Sequence, residues 1–288
     1  MFTNILLNNS IRNLFFASFV FFNPSLVNTP MPVVENIETQ IILRKPATEL
    51  ISITDSIVTP VLYTGVPEGN LATNLEQREQ FINLMLPAIL LAKHKIAIDL
   101  EKAEAIIKRS ENGGKMRWDD FKTISSLYLR YNASNMNELR KKMQTHPTSI
   151  VLAQAALESG WGTSRFFRNG FNPFGMWSIN PNEARMLSYE KRTDNYIIYM
   201  RKYETLGQSI ADYFATISRV SVYNKFREAN LEGKSVYEMV TYLDKYSELG
   251  EYYCGMVNSV IKNFDLLKYD NYRLPDDFTK SKTTTIEL

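Results

Sequence analysis

Glu158 stands where a carboxylate is hard to ionise. It follows Ile150–Leu157 (IVLAQAAL), a stretch apolar on nearly every face except at Gln154, and it precedes Gly160 by two positions. An all-round apolar helix is a buried one, and glycines at 160 and 162 end it. Burial among apolar groups raises a carboxyl pKa, and the negative end of the helix dipole raises it further. A carboxylic acid kept protonated near neutral pH can protonate a poor leaving group such as a sugar hydroxyl. The same spacing also fits a glutamate that simply reaches water at a frayed helix end.

Other residue types narrow the chemistry. The chain has one cysteine, Cys254, and two histidines, His94 and His146. That excludes an internal disulfide, leaves no zinc ligand set and makes a poor nucleophile–base pair, so no metal or cofactor is expected. Aromatic residues are plentiful, with 16 Tyr, 16 Phe and 3 Trp. Such rings fill cores and also stack on pyranose faces. Trp161 and Phe174 flank Glu158 in sequence and suit either a groove floor or the core. Asn172 and Gly175 suit the turn of a loop rich in Gly, Asn and Phe between Phe166 and Pro181.

With 288 residues, 44% apolar and 22% charged, the chain has the composition of a soluble globular protein. Its net charge of +2 gives no argument for a nucleic-acid partner. Leu14–Phe22 is an apolar run of nine residues after Arg12. That is short for a spanning helix of about 20 residues and fits a signal peptide, or failing cleavage an N-terminal membrane anchor, over residues 1–25. Residues 26–70 carry five of the 11 prolines and read as an extended linker with a short strand near Ile51–Val58. A domain over 71–275 and a polar tail over 276–288 complete the chain.

Within the domain the hydrophobic period is mostly helical. Phe81, Leu84, Met85, Ala88, Leu91 and Ala92 share a face, Pro87 is expected to kink their helix, and Gly113-Gly114 stops it. Further helices are expected over Trp118–Tyr131, around Met136–Met143, and from Pro147 through Glu158. Met186–Tyr203 breaks the period and reads as a β-hairpin, with strands near 186–190 and 196–203. Thr205-x-x-Gln208 and Ser235-x-x-Glu238 are capping boxes that open two more helices, and a last one carries Tyr253, Val257, Val260, Ile261 and Phe264.

The AQAALESGWG-x-S stretch (Ala153–Ser164) and the N-x-F-G that follows (Asn172–Gly175) resemble the signature of the bacterial N-acetylglucosaminidases of glycoside hydrolase family 73. The front helix FINLMLPAILLAKHKI and the late YLDKYSELGEYY are similar to its Bax-type branch. The resemblance spans about residues 68–270. It implies a mainly α fold, with a lysozyme-like α-lobe of about seven helices and one small β-hairpin lobe. It places the catalytic glutamate on Glu158 and a second carboxylate in the hairpin, where Glu190 fits best and Glu183 is the alternative. Carboxyl separations of about 6.5–9.5 Å would favour inversion and about 5–5.5 Å a direct nucleophile, while the substrate's own acetamido group is a third route. Tyr223 matches a tyrosine near the catalytic acid, and Tyr246 belongs to the Bax-type pattern. The implied partner is the glycan strand of peptidoglycan, met outside the cytoplasm. Two rivals stay open: a lytic transglycosylase of the same fold, and a wall-binding scaffold without activity.

Overall fold

The computed structural model describes residues 43–46, 48, 50–67, 73–188 and 197–280. The segment read as a signal peptide or anchor, Glu190, and the end of the polar tail lie outside the described residues.

Helix α1 (Asn74–Glu111) is the spine. Thr73 and Glu76 close its capping box, Thr73 Oγ1 accepting from the Glu76 amide at 3.1 Å and Glu76 Oε2 from the Thr73 amide at 3.0 Å. The helix continues through Pro87. It is long and apolar enough to cross a membrane, yet Leu84–Leu86, Ala88, Ile89, Leu91 and Ala92 are all buried within the domain. Helices α2 (Trp118–Tyr131) and α3 (Met136–Lys142) follow, and then α4 (Thr148–Ser159), which carries Glu158. After α5 (Arg165–Gly170) come strands β3 (Arg185–Leu187) and β4 (Tyr199–Arg201). The chain closes with α6 (Leu206–Arg219), α7 (Asn224–Leu231), α8 (Val236–Thr241), α9 (Glu251–Asn263) and α10 (Asp276–Lys280). Short 3-10 turns occupy Ser221–Tyr223 and Leu266–Asn271.

The fold is mainly helical with a small antiparallel strand pair. Three further short helices, α5, α7 and α10, join the seven read from the sequence. The strand pair has the register Arg185↔Arg201, Met186↔Met200 and Leu187↔Tyr199.

The described part of the presumed linker is not loose. Strands β1 (Leu43–Lys45) and β2 (Val61–Tyr63) pair in parallel. Val58, Val61, Leu62 and Tyr63 are buried in the core. The strand expected near Ile51–Val58 therefore forms at 61–63 instead. Pro60 precedes this strand and Pro67 follows it, positions where the lost N–H breaks no ladder. Val58 also donates to the Arg273 carbonyl, and Arg273 donates to that of Ser56, each at 2.8 Å.

Helix α4 lies innermost, packed by α1, α8, α9 and the 266–271 turn. Ile150, Val151, Leu152, Ala153 and Ala155 are fully buried. Both its ends are tied. Pro147 is its N-cap and offers no side-chain acceptor; Asp270 supplies one, taking hydrogen bonds from the Ser149 amide and hydroxyl. At the other end Gly160 turns left-handed (φ +58°) and the Trp161 amide reaches back to the Ala156 carbonyl at 2.8 Å, a Schellman closure. Gln77 of α1 then donates to the carbonyls of Gly160 and Trp161, at 3.2 Å each.

Candidate active site

These two ties fix Glu158 in the last turn of α4. Its side chain is half-buried, so it meets solvent from one side while the helix behind it is sealed. Three tyrosines from separate segments face it: Tyr223 from the 221–223 turn, Tyr246 from the turn after α8, and Tyr253 from α9. Burial, and after it the nearby Glu158 charge, pushes each phenol's pKa up. All three therefore stay protonated as hydrogen-bond donors. Tyr253 lies beside Glu158 on the face that Gln154 also lines, one helical turn before it. Tyr246 donates to the Phe174 carbonyl at 3.3 Å, and its ring stacks on Tyr253 with centroids 5.5 Å apart. Tyr223 is fully buried, and its hydroxyl finds no hydrogen-bond partner among the described residues.

Gly175 completes the wall. Its φ of +65° suits glycine, and a β-carbon there would sit 3.8 Å from Glu158 Oε2 and 3.9 Å from Met200 Cε. The loop carrying it is set by Asn172, whose Nδ2 donates to the carbonyls of Met176 (2.9 Å) and Arg201 (3.0 Å) while its Oδ1 accepts from the Met176 amide (2.9 Å). The hairpin is anchored behind that loop. Arg201 pairs with Asp212 of α6 at 2.5 Å, and Tyr203 donates to the same carboxylate at 2.6 Å. Burial alone would raise the Asp212 pKa; Arg201 brings it down to about 2.

The residues read from sequence separate accordingly. Glu158, Tyr223 and Tyr246 come together. Asn172 is buried and fully engaged in its loop, so the structure gives it a loop-pinning role and not a sugar contact. Phe174 is also a correction as a sugar platform: it is 1% exposed and stacks on Tyr213 at 4.2 Å. Trp161 leans into Phe81 and Phe264, at 5.5 and 4.9 Å between centroids, which is packing against α1 and the end of α9. Glu183 sits 3.3 Å from Arg201 in an ion pair. Glu190 lies outside the described residues. Cys254 is buried and burial lifts its thiol to about 11, far from a reactive thiolate. Among the described residues no His, Cys, Asp or Glu cluster could hold a metal ion. Sequence reading missed Tyr253, although Gln154, one turn before Glu158 and the polar exception in α4, marks the face it uses.

Residues 133–266 match the family described as mannosyl-glycoprotein endo-beta-N-acetylglucosaminidase. That family is one of glycoside hydrolases, and the match covers just under half of the chain. The chain is also similar to Protein bax of Escherichia coli (strain K12), 29% identical over 105 residues. The chain spans 36% of the length of that relative, and the aligned part is 36% of this chain. Among solved structures, the catalytic domain of the autolysin Auto from Listeria monocytogenes has a TM-score of 0.37 at 19% identity, over 56% of this chain and 95% of that one. The glycoside hydrolase domain of Salmonella typhimurium FlgJ scores 0.34 at 21% identity, over 48% of this chain and 93% of that one. At such scores neither likeness defines the fold, which rests on the helices and packing described above.

Proposed function

We propose that the chain is an exported peptidoglycan hydrolase, an endo-β-N-acetylglucosaminidase that cuts the β-1,4 bond between GlcNAc and MurNAc with Glu158 as general acid. One observation carries this reading. A half-buried glutamate at a capped helix end faces three buried tyrosines and a glycine wall, inside the stretch that matches the glucosaminidase family. A glycosidic oxygen needs a proton as its bond to the anomeric carbon breaks, and in this reading Glu158 gives it. On the other face of the sugar, the hairpin carboxylate Glu190 or the substrate's acetamido group assists at the anomeric carbon. The Tyr223 hydroxyl, buried beside Glu158, orients that acetamido group or the attacking water. Residues 1–25 deliver the enzyme to the wall side of the membrane or hold it there.

Zymography on peptidoglycan tests the reading. Wild type clears the gel and Glu158→Gln does not, with turnover reduced by at least about 10²-fold. Mass spectrometry of the products then fixes the bond. A reducing GlcNAc end supports the glucosaminidase; an anhydro-MurNAc end means a lytic transglycosylase. Clearing by neither protein means a wall-binding scaffold.

A further inference from the structure

We infer that His146, Tyr213, Gln154 and Tyr253 form a buried, one-way hydrogen-bond relay that positions Glu158 and stabilises the negative charge it acquires on giving up its proton. The inference rests on Glu158 being the general acid. Nothing in the family resemblance assigns these four residues a part in the chemistry.

The relay is continuous through the core. His146 Nε2 lies 2.8 Å from the Tyr213 hydroxyl. Tyr213 donates to Gln154 Oε1 at 2.6 Å. Gln154 Nε2 donates to the Tyr253 hydroxyl at 3.0 Å, which leaves the Tyr253 hydrogen free to turn toward Glu158, the charge beside it. His146 is 3% exposed, Tyr253 2%, and Tyr213 and Gln154 0%, so water does not interrupt the relay or substitute for any member. Residues from the segment before α4, from α6, from α4 itself and from α9 thus converge on one carboxyl group.

Donor counting fixes the direction. A carboxylate only accepts, so with Glu158 ionised the Tyr253 hydrogen points to it. The Tyr253 oxygen is then satisfied by the Gln154 amide N–H. The Gln154 carbonyl takes the only hydrogen of Tyr213, which leaves His146 Nε2 as the donor to the Tyr213 oxygen. Every hydrogen in the relay points toward Glu158. Burial, and after it the charge of Lys93, holds the His146 pKa well below its ordinary value, so the imidazole is neutral and a single tautomer serves.

Two consequences follow for catalysis. The relay fixes the Tyr253 hydroxyl beside the carboxyl group with its hydrogen directed toward it. The attraction of this hydroxyl for Glu158 grows as the carboxylate forms, because donors interact more strongly with a charged group than with a neutral one and polarised neighbours reinforce them. An interaction stronger in the transition state than in the ground state raises kcat and leaves KM alone.

The titratable groups around the relay are few. Tyr223 and Tyr246 face Glu158, Tyr223 also faces Tyr213, and Lys93 of α1 faces His146. Phe214 and Phe226 also pack against the imidazole. Glu190 of the hairpin lies outside the described residues. Each of these groups is the same in wild type and in the variants below, so a difference between their pH profiles reports the relay.

The test measures peptidoglycan turnover by the full-length chain across pH. Tyr253→Phe removes one hydroxyl; kcat falls about tenfold or more, as for a hydrogen bond to a charged group, and KM stays within about twofold of wild type. With a carboxylate-stabilising donor gone, Glu158 binds its proton more tightly, so the alkaline limb of kcat moves to higher pH. Tyr213→Phe lowers kcat in the wild-type background and has no further effect in Tyr253→Phe, because a relay acts in series. A Tyr213→Phe effect of equal size in both backgrounds overturns the relay. So does a Tyr253→Phe enzyme with wild-type kcat and an unmoved alkaline limb while Glu158→Gln is inactive. An active Glu158→Gln enzyme instead overturns the general-acid reading itself. If Tyr253→Phe does not fold, Gln154→Met and Tyr213→Phe carry the test: loss of kcat with a raised alkaline limb supports the relay, and unchanged profiles overturn it.

Discussion

Asp270 accepts two hydrogen bonds from Ser149, 2.7 Å from its amide and 2.8 Å from its hydroxyl. A carboxylate from the far end of the domain thus caps the helix that carries Glu158, whose own N-cap is a proline. Asp270→Ala is expected to destabilise the protein by about 1–2 kcal/mol, the range for a lost N-cap. Urea denaturation checks this, and Asp270→Asn should retain part of the loss because its amide oxygen still accepts.

Gly175 lines the acid from the opposite side. Gly175→Ala forces a β-carbon onto a left-handed backbone, at about 1–2 kcal/mol, and sets a methyl group beside Glu158 Oε2 where solvent would otherwise reach. Partial desolvation favours the protonated acid. The alkaline limb of kcat/KM should therefore move to higher pH, alongside a lower denaturation midpoint. An unmoved limb would show that Glu158 does not face this glycine in solution.

His146 gives a pH dependence of stability with a fixed sign. Its folded pKa is depressed, mainly by burial, while in the unfolded chain it titrates near about 6.5. The unfolded state therefore binds the proton first. Stability is fully present above that pH and declines below it, by up to about 1.4 kcal/mol per pH unit for one proton. Denaturation series between pH 7.5 and 5, choices of buffer aside, should show most of this slope vanish in His146→Phe. A smaller part belongs to His94, whose pKa burial also lowers.

The ion pair of Asp212 and Arg201 holds the hairpin behind the Asn172 loop. Asp212→Ala leaves a buried guanidinium with only Glu183 beside it and deprives the Tyr203 hydroxyl of its acceptor. The expected loss is about 3 kcal/mol, the lower end for breaking a buried pair. Equilibrium unfolding measures it, and limited proteolysis should find the hairpin strands cut more readily than in wild type.

Much of this was legible in the sequence where the signal is local. The apolar run before Glu158, the capping boxes at Thr205 and Ser235, and the break in helical period at Met186–Tyr203 each state their element within a dozen residues. The buried strand at Val61–Tyr63 was not legible. It is three residues long, prolines stand on both sides, and its partner is a parallel strand that no hairpin turn announces. The site divides in the same way. Glu158 declares itself through its own helix, whereas Tyr253 reaches Gln154 across 99 positions of chain, and only the fold brings them together. Phe174 was ambiguous for a different reason: an aromatic in the loop that follows Glu158 looks the same in sequence whether it faces a sugar or another ring.

The extent of the family match and the extent of the folding unit differ. Gln77 and Asp270, which hold the two ends of α4, both fall outside residues 133–266, as does the whole of α1. A fragment trimmed to the matched stretch would carry the acid on a helix without its Asp270 cap or its Gln77 tie, and with one long apolar flank open to water. Such a peptide would be a candidate for aggregation before it could be an enzyme.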